Sequence, residues 1–78
     1  MKNIISAKYL KDYKIEVAFD DGKKGVVDLA QVLEKDNRKI FKELLDQKKF
    51  CKFKVAADTI VWSNGLDLAP EFLYGIVR

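Results

Sequence analysis

The chain of 78 residues contains no histidine. That removes the commonest general base and the usual transition-metal ligand together, and with them any Ser-His-Asp or Cys-His centre and any ordinary zinc site. Cysteine is nearly absent too: Cys51 stands alone, so no disulfide can close within the chain. Its place in the alternation Cys51, Phe53, Val55 predicts a small buried hydrophobe. No apolar run approaches the ~18 residues of a membrane span, and the amino end, Met1-Lys2-Asn3-Ile4-Ile5-Ser6, turns polar too soon for a signal peptide. The expectation is a cytoplasmic protein with no cofactor, no metal and no membrane association. Arginine is scarce, since only Arg38 and Arg78 are arginine among 15 basic residues. Recognition of bases and phosphates favours arginine's bidentate fork. The lysine excess behind the net charge of +3 therefore reads first as solubility and second as attraction to a polyanion.

What is present suffices for one globular domain: hydrophobic residues are 49% and charged residues 35%, too apolar a mixture for a disordered chain. A domain of this size buries only roughly 60–65% of the surface its unfolded chain exposes, so a partner or a second copy would add useful burial. Strand character runs from Ile4 to Leu10, with Ile5, Ala7 and Tyr9 on one face. After a polar break at Lys11-Asp12-Tyr13, Lys14 to Phe19 alternates cleanly and points Ile15, Val17 and Phe19 inward. Asp20-Asp21-Gly22-Lys23 is a hairpin signal; it resembles part of a calcium loop but lacks the later ligands, and is read as a turn. Lys24 to Leu29 returns as a third strand.

Asp28 is placed to cap a short helical turn through Val32 and Leu33, and Asp36 or Asn37 a second helix with Ile40, Phe41, Leu44 and Leu45 on one stripe. From Phe50 the period falls to two again, and Ala57-Asp58 turns the chain into Thr59-Ile60-Val61-Trp62. Ser63-Asn64-Gly65 is another turn. Leu66-Asp67-Leu68 is a brief extended piece, and Pro70 opens a short terminal helix. The expected fold is α+β: an antiparallel sheet of about five strands, a three-stranded meander plus a hairpin, with one packed helix and a short C-terminal helix. Ile15, Val17, Phe41, Leu44, Phe53 and Ile60 should be buried together.

Two motifs carry a family resemblance that spans nearly the whole chain. The first is Phe19-Asp20-Asp21-Gly22-Lys23 leading to Val27-Asp28-Leu29. The second is Val61-Trp62-Ser63-Asn64-Gly65-Leu66-Asp67-Leu68-Ala69-Pro70-Glu71-Phe72-Leu73-Tyr74. In this order they resemble the signature of the bacterial domain-of-unknown-function (DUF) family 2442. Ser63 departs from the proline common there, which implies a looser turn. The resemblance implies a small α+β module, found alone or joined to a helix-turn-helix domain. Free-standing members are implied to be encoded beside a small protein of DUF family 4160, in a toxin–antitoxin-like arrangement.

Candidate site residues have competing readings. Asp67 and Glu71, flanking Pro70, form a carboxylate pair for acid/base work or cation binding; the structural reading, taken first, is that Asp67 or a neighbouring backbone group caps the helix and Glu71 favours its positive end. Trp62, Tyr74, Phe72 and Tyr9 are candidates for an exposed aromatic patch, and Trp62, Asp67, Glu71 and Tyr74 are the candidate partner contacts, against the reading that Trp62 fills a small core. Phe72 is expected to anchor the terminal helix and Tyr74 to be available to another chain. Lys48, Lys49, Lys52 and Lys54, interleaved with Phe50 and Phe53, are candidate nucleic-acid contacts, although Phe53 should fall on the opposite face from the strand lysines; a solvated face is the plainer account. The leading functional expectation is a non-enzymatic protein–protein interaction module, the antitoxin-like member of a two-protein system, whose partner is a DUF family 4160 protein or a second copy. A nucleic-acid-binding regulatory module is the alternative, and a small histidine-free nuclease the third.

Overall fold

The structure, a computed structural model, describes residues 2–78. Strands β1 (Ile4–Tyr9), β2 (Lys14–Phe19) and β3 (Lys24–Asp28) form an antiparallel meander. Its register sets Tyr9 opposite Ile15 and Ile15 opposite Val27. The alternation in β2 does what the sequence implies, and Ile15, Val17 and Phe19 are all buried. The β2–β3 turn closes on Gly22 at φ +95°, with Asp21 Oδ1 accepting the Lys23 N–H at 3.0 Å. The β1–β2 turn is made without glycine: Asp12 (φ 52°) and Tyr13 (φ 65°) both take left-handed backbone. Packing offsets that cost, because the Tyr13 ring stands edge-on to Phe50 at 5.2 Å and its hydroxyl donates to the Leu45 carbonyl.

A bulge re-aims β1. The register passes from Ile4 opposite Phe19 directly to Ser6 opposite Ala18, leaving Ile5 as the extra residue. Ile4 therefore points inward at 2% exposure and Ile5 outward at 64%, which corrects the expectation for Ile5; Ala7 and Tyr9 do pack against the core. Strands β4 (Phe53–Ala56) and β5 (Thr59–Trp62) make the hairpin. The five strands hydrogen-bond as three plus two, the hairpin being a sheet of its own. It meets the meander where the Asp58 carbonyl accepts the Ile4 N–H at 2.9 Å.

Between the sheets run α1 (Ala30–Lys35), α2 (Lys39–Lys42), a 3₁₀ turn (Glu43–Leu45) and α3 (Gln47–Phe50). Asp28 Oδ1 accepts from the Ala30 N–H ahead of α1, and Asp36 Oδ1 from the Arg38 N–H ahead of α2. Asp46 caps α3 by accepting from Lys48 N–H at 3.0 Å. This extra helical turn puts Phe50 into the core at 0% exposure and delays the strand to Phe53. Cys51 falls in the turn between them and is exposed, not buried as its alternation with Phe53 suggests. Phe41, Leu44 and Ile60 join the core, while Phe53 is half-buried. The terminal helix α4 spans Pro70–Ile76. Among the described residues no helix is long and apolar enough to cross a membrane.

Candidate functional site

Helix α4 has seven residues, too few to be stable unaided, so its packing decides which side chains remain free. Leu73 and Val77, one turn apart, are the buried pair at 0% and 4% exposure. With that phase fixed, Phe72 rotates outward and is 42% exposed. Tyr74 goes the other way. Its ring packs edge-on to Phe19 at 5.0 Å, its hydroxyl donates to Asp21 Oδ2 at 2.8 Å, and Lys23 Nζ lies 4.1 Å from its centroid. The expected roles of Phe72 and Tyr74 are thus reversed: Leu73 and Val77 anchor the helix, Tyr74 ties it to the β2–β3 turn, and Phe72 is the aromatic left facing solvent. The Lys23 N–H first and the Tyr74 hydroxyl second hold the Asp21 carboxyl below its ordinary range. The same bond to Asp21 raises the Tyr74 phenol.

Phe72 stands at a groove of about 330 Å³ whose apolar lining is Val32, Phe41, Leu68 and Ala69. Asp36, Arg38 and Asp67 supply its polar lining. Arg38 grips Asp36 with two nitrogens, Nε at 3.0 Å and Nη2 at 2.7 Å, and lays its guanidinium 4.7 Å from the Phe41 ring centroid. That bidentate contact lowers the Asp36 carboxyl to about 2. Asp67 is exposed and has no ion-pair partner among the described residues. It does not cap α4, whose N-cap Ala69 receives no side-chain bond; its backbone instead bridges to Val61. Glu71 sits in the first turn of α4 as the dipole argument requires. The groove takes Asp67 but not Glu71, Tyr74 or any lysine. Trp62 is core at 2% exposure, its indole N–H donating to the Phe50 carbonyl at 2.7 Å. Among the described residues no group of three or more carboxylate or thiol side chains is placed to hold a metal ion.

The lysines are divided among three elements. Lys48 and Lys49 belong to α3, Lys52 to the turn after it and Lys54 to β4. Two hollows of about 270 and 400 Å³ share Lys52 and Ser63; the first adds Glu43, Leu44, Lys49 and Asn64, the second Phe53, Lys54 and Val61. Lys48 lines neither. Lys54 pairs across the hairpin with Val61, and Phe53 with Trp62, so Phe53 and Lys54 do occupy opposite faces. None of the four lysines is in an ion pair among the described residues.

Asp36 and Arg38, which no sequence motif marks as site residues, join Phe72, one of the four aromatics expected to face a partner. Spacing alone gave no signal for the exposure of Phe72, since Phe72 and Ile76 repeat at the same helical interval as Leu73 and Val77.

The family model described as "Protein of unknown function (DUF2442)" matches residues 4–78, and the chain belongs to that family. No curated protein and no solved structure matches it.

Proposed function

We propose that this chain is a non-enzymatic protein–protein interaction module of the cytoplasm, the antitoxin-like member of a two-protein bacterial system, and that it takes its partner at the Phe72 groove. One observation carries this reading: Phe72 is exposed beside an apolar groove while every other aromatic side chain is buried or half-buried. Phenylalanine is enriched at the cores of protein interfaces, and an exposed apolar patch marks a candidate interaction surface. The lining describes the partner. An apolar side chain would enter between Phe72 and Phe41, and a cation beside it would meet Asp67, because Arg38 already neutralises Asp36. A small protein of DUF family 4160, or a second copy, is the partner this reading favours. The test is a titration of the parent and Phe72→Ala proteins against the protein that co-purifies with the parent from its own cells. Phe72→Ala should weaken binding by about 1–2 kcal/mol or more. Equal affinities of the two proteins would remove the groove from the interaction.

A second reading, a nucleic-acid-binding regulatory module, rests on the two hollows joined at Lys52. Lys49, Lys52 and Lys54 would follow a phosphate backbone there, with Ser63 as a hydrogen-bonding group.

A further inference from the structure

The outer edge of β3 carries a pattern of its own. Val26 donates its N–H to the Arg78 carbonyl at 2.8 Å and accepts the Arg78 N–H at 2.9 Å, so both its backbone groups point away from β2. Backbone groups two residues along a strand point the same way, which aims those of Lys24 and Asp28 outward on either side. Among the described residues nothing beyond β2 pairs with them, and both residues are exposed. Among the described residues, Arg78 thus fills only the middle rung of a three-rung edge. Gly25 makes even this possible. A Cβ there would stand 2.4 Å from the Arg78 carbonyl oxygen and 2.9 Å from Val77 Cγ2, too close for any side chain unless the tail moved.

We propose that the β3 edge is a self-pairing surface: two copies join antiparallel about Val26, and Arg78 holds that edge closed in the single chain. Lys24, Val26 and Asp28 lie on one face of the strand. A register centred on Val26 sets it against Val26 of the second copy, and Lys24 against Asp28 of the second copy, twice by symmetry. Opposite charges directly across are the favourable cross-strand arrangement. A slip of two residues in either direction loses both charge pairs, so the pattern specifies its own register. Three rungs of backbone bonds shared by the dimer would replace the two that Arg78 makes, one in each copy. This surface is separate from the Phe72 groove, so either proposal can fail without the other.

The test compares the full chain, the chain lacking Arg78, and the latter carrying Lys24→Asp. Each is examined by sedimentation equilibrium and by hydrogen exchange at the Val26 amide. Removing Arg78 should lower the dimer dissociation constant by about tenfold or more, as when a pairing-competent minority becomes the main state, with Val26 protected in the dimer. Lys24→Asp sets like charges across from Asp28 and should return the shortened chain to monomer. Gly25→Ala, which crowds Arg78 away while leaving every other residue in place, should act as the deletion does and carries the same readouts if the shortened chain does not fold. A shortened chain that stays monomeric with rapid Val26 exchange overturns the proposal. So does a dimer indifferent to Lys24→Asp, or a full chain that dimerises as tightly as the shortened one.

Discussion

Among the described residues, left-handed backbone occurs at two glycines and at four residues that carry side chains. Gly22 and Gly65 lie at φ +95° and +92° with nothing within 4 Å of an added Cβ, so a Cβ there meets no clash and its cost is conformational. Gly22→Val and Gly65→Val should each lose ~1–3 kcal/mol, read from urea midpoints; unchanged midpoints in both would remove the turn argument. Gly75 is the opposite case. It lies inside α4 with open space around it and no positive φ, so Gly75→Ala should raise stability by ~0.5–1 kcal/mol. Charge acts at single residues too. The Asp36 carboxyl is lowered from 3.8 to about 2 by Arg38. A carboxylate with a depressed folded value stabilises above its unfolded value and loses that contribution as pH falls through the folded one. The electrostatic part of the stability difference between the parent and Arg38→Gln should therefore be full at neutral pH, shrink from about pH 4 and be mostly lost by about pH 2. A difference that persists unchanged at pH 2 would assign Arg38 a packing role on Phe41 instead.

At the scale of elements, α4 shows how one missed contact reorders a face. Periodicity alone correctly gives a helix from Pro70 and correctly places Phe72 and Ile76 on one side. It does not say which side the core takes, because Phe72, Leu73, Ile76 and Val77 are all apolar. Leu73 and Val77 take the core side, and in the same phase the Tyr74 hydroxyl reaches Asp21 and the Arg78 backbone reaches Val26. Leu73→Ala should accordingly cost ~2–5 kcal/mol of folding, whereas Phe72→Ala, at an exposed position, should stay within ~0.5 kcal/mol; comparable losses for the two would restore Phe72 as the anchor. Similar reasons account for the other departures. The strands of the meander were legible because Ile15, Val17 and Phe19 alternate strictly. The bulge at Ile5 was not, since Ile4 and Ile5 are equally apolar and only pairing with Phe19 and Ala18 distinguishes them. The turn Gln47–Phe50 was hidden because Cys51, Phe53 and Val55 alternate with Lys52 and Lys54, a period of two that reads as a strand already begun at Phe50; Asp46 as its cap was the local clue.

For the molecule as a whole, the candidate surface was legible in its neighbourhood and not in its members. Asp67 lies at the groove, but Arg38, Phe41 and Val32 come to it from distant positions, and no spacing in the chain announces that meeting. The lysines raise the complementary question of whether charge alone or a built groove would govern contact with a polyanion. A net charge of +3 spread over flexible lysines gives weak, salt-sensitive attraction that any exposed lysine shares. If that is all there is, mixed-sequence single-stranded DNA or RNA should bind with a dissociation constant of roughly 10⁻⁴–10⁻⁶ M at physiological salt, falling away steeply as salt rises. Lys48→Gln and Lys52→Gln should then weaken it equally, because each removes one exposed charge. A groove predicts inequality: Lys52 lines both hollows and Lys48 lines neither, so Lys52→Gln would lose affinity while Lys48→Gln kept it. The protein-interaction reading expects the equal, weak result in a fluorescence-anisotropy titration. Submicromolar binding that depends on Lys52 and not on Lys48 would put nucleic acid ahead of a protein partner.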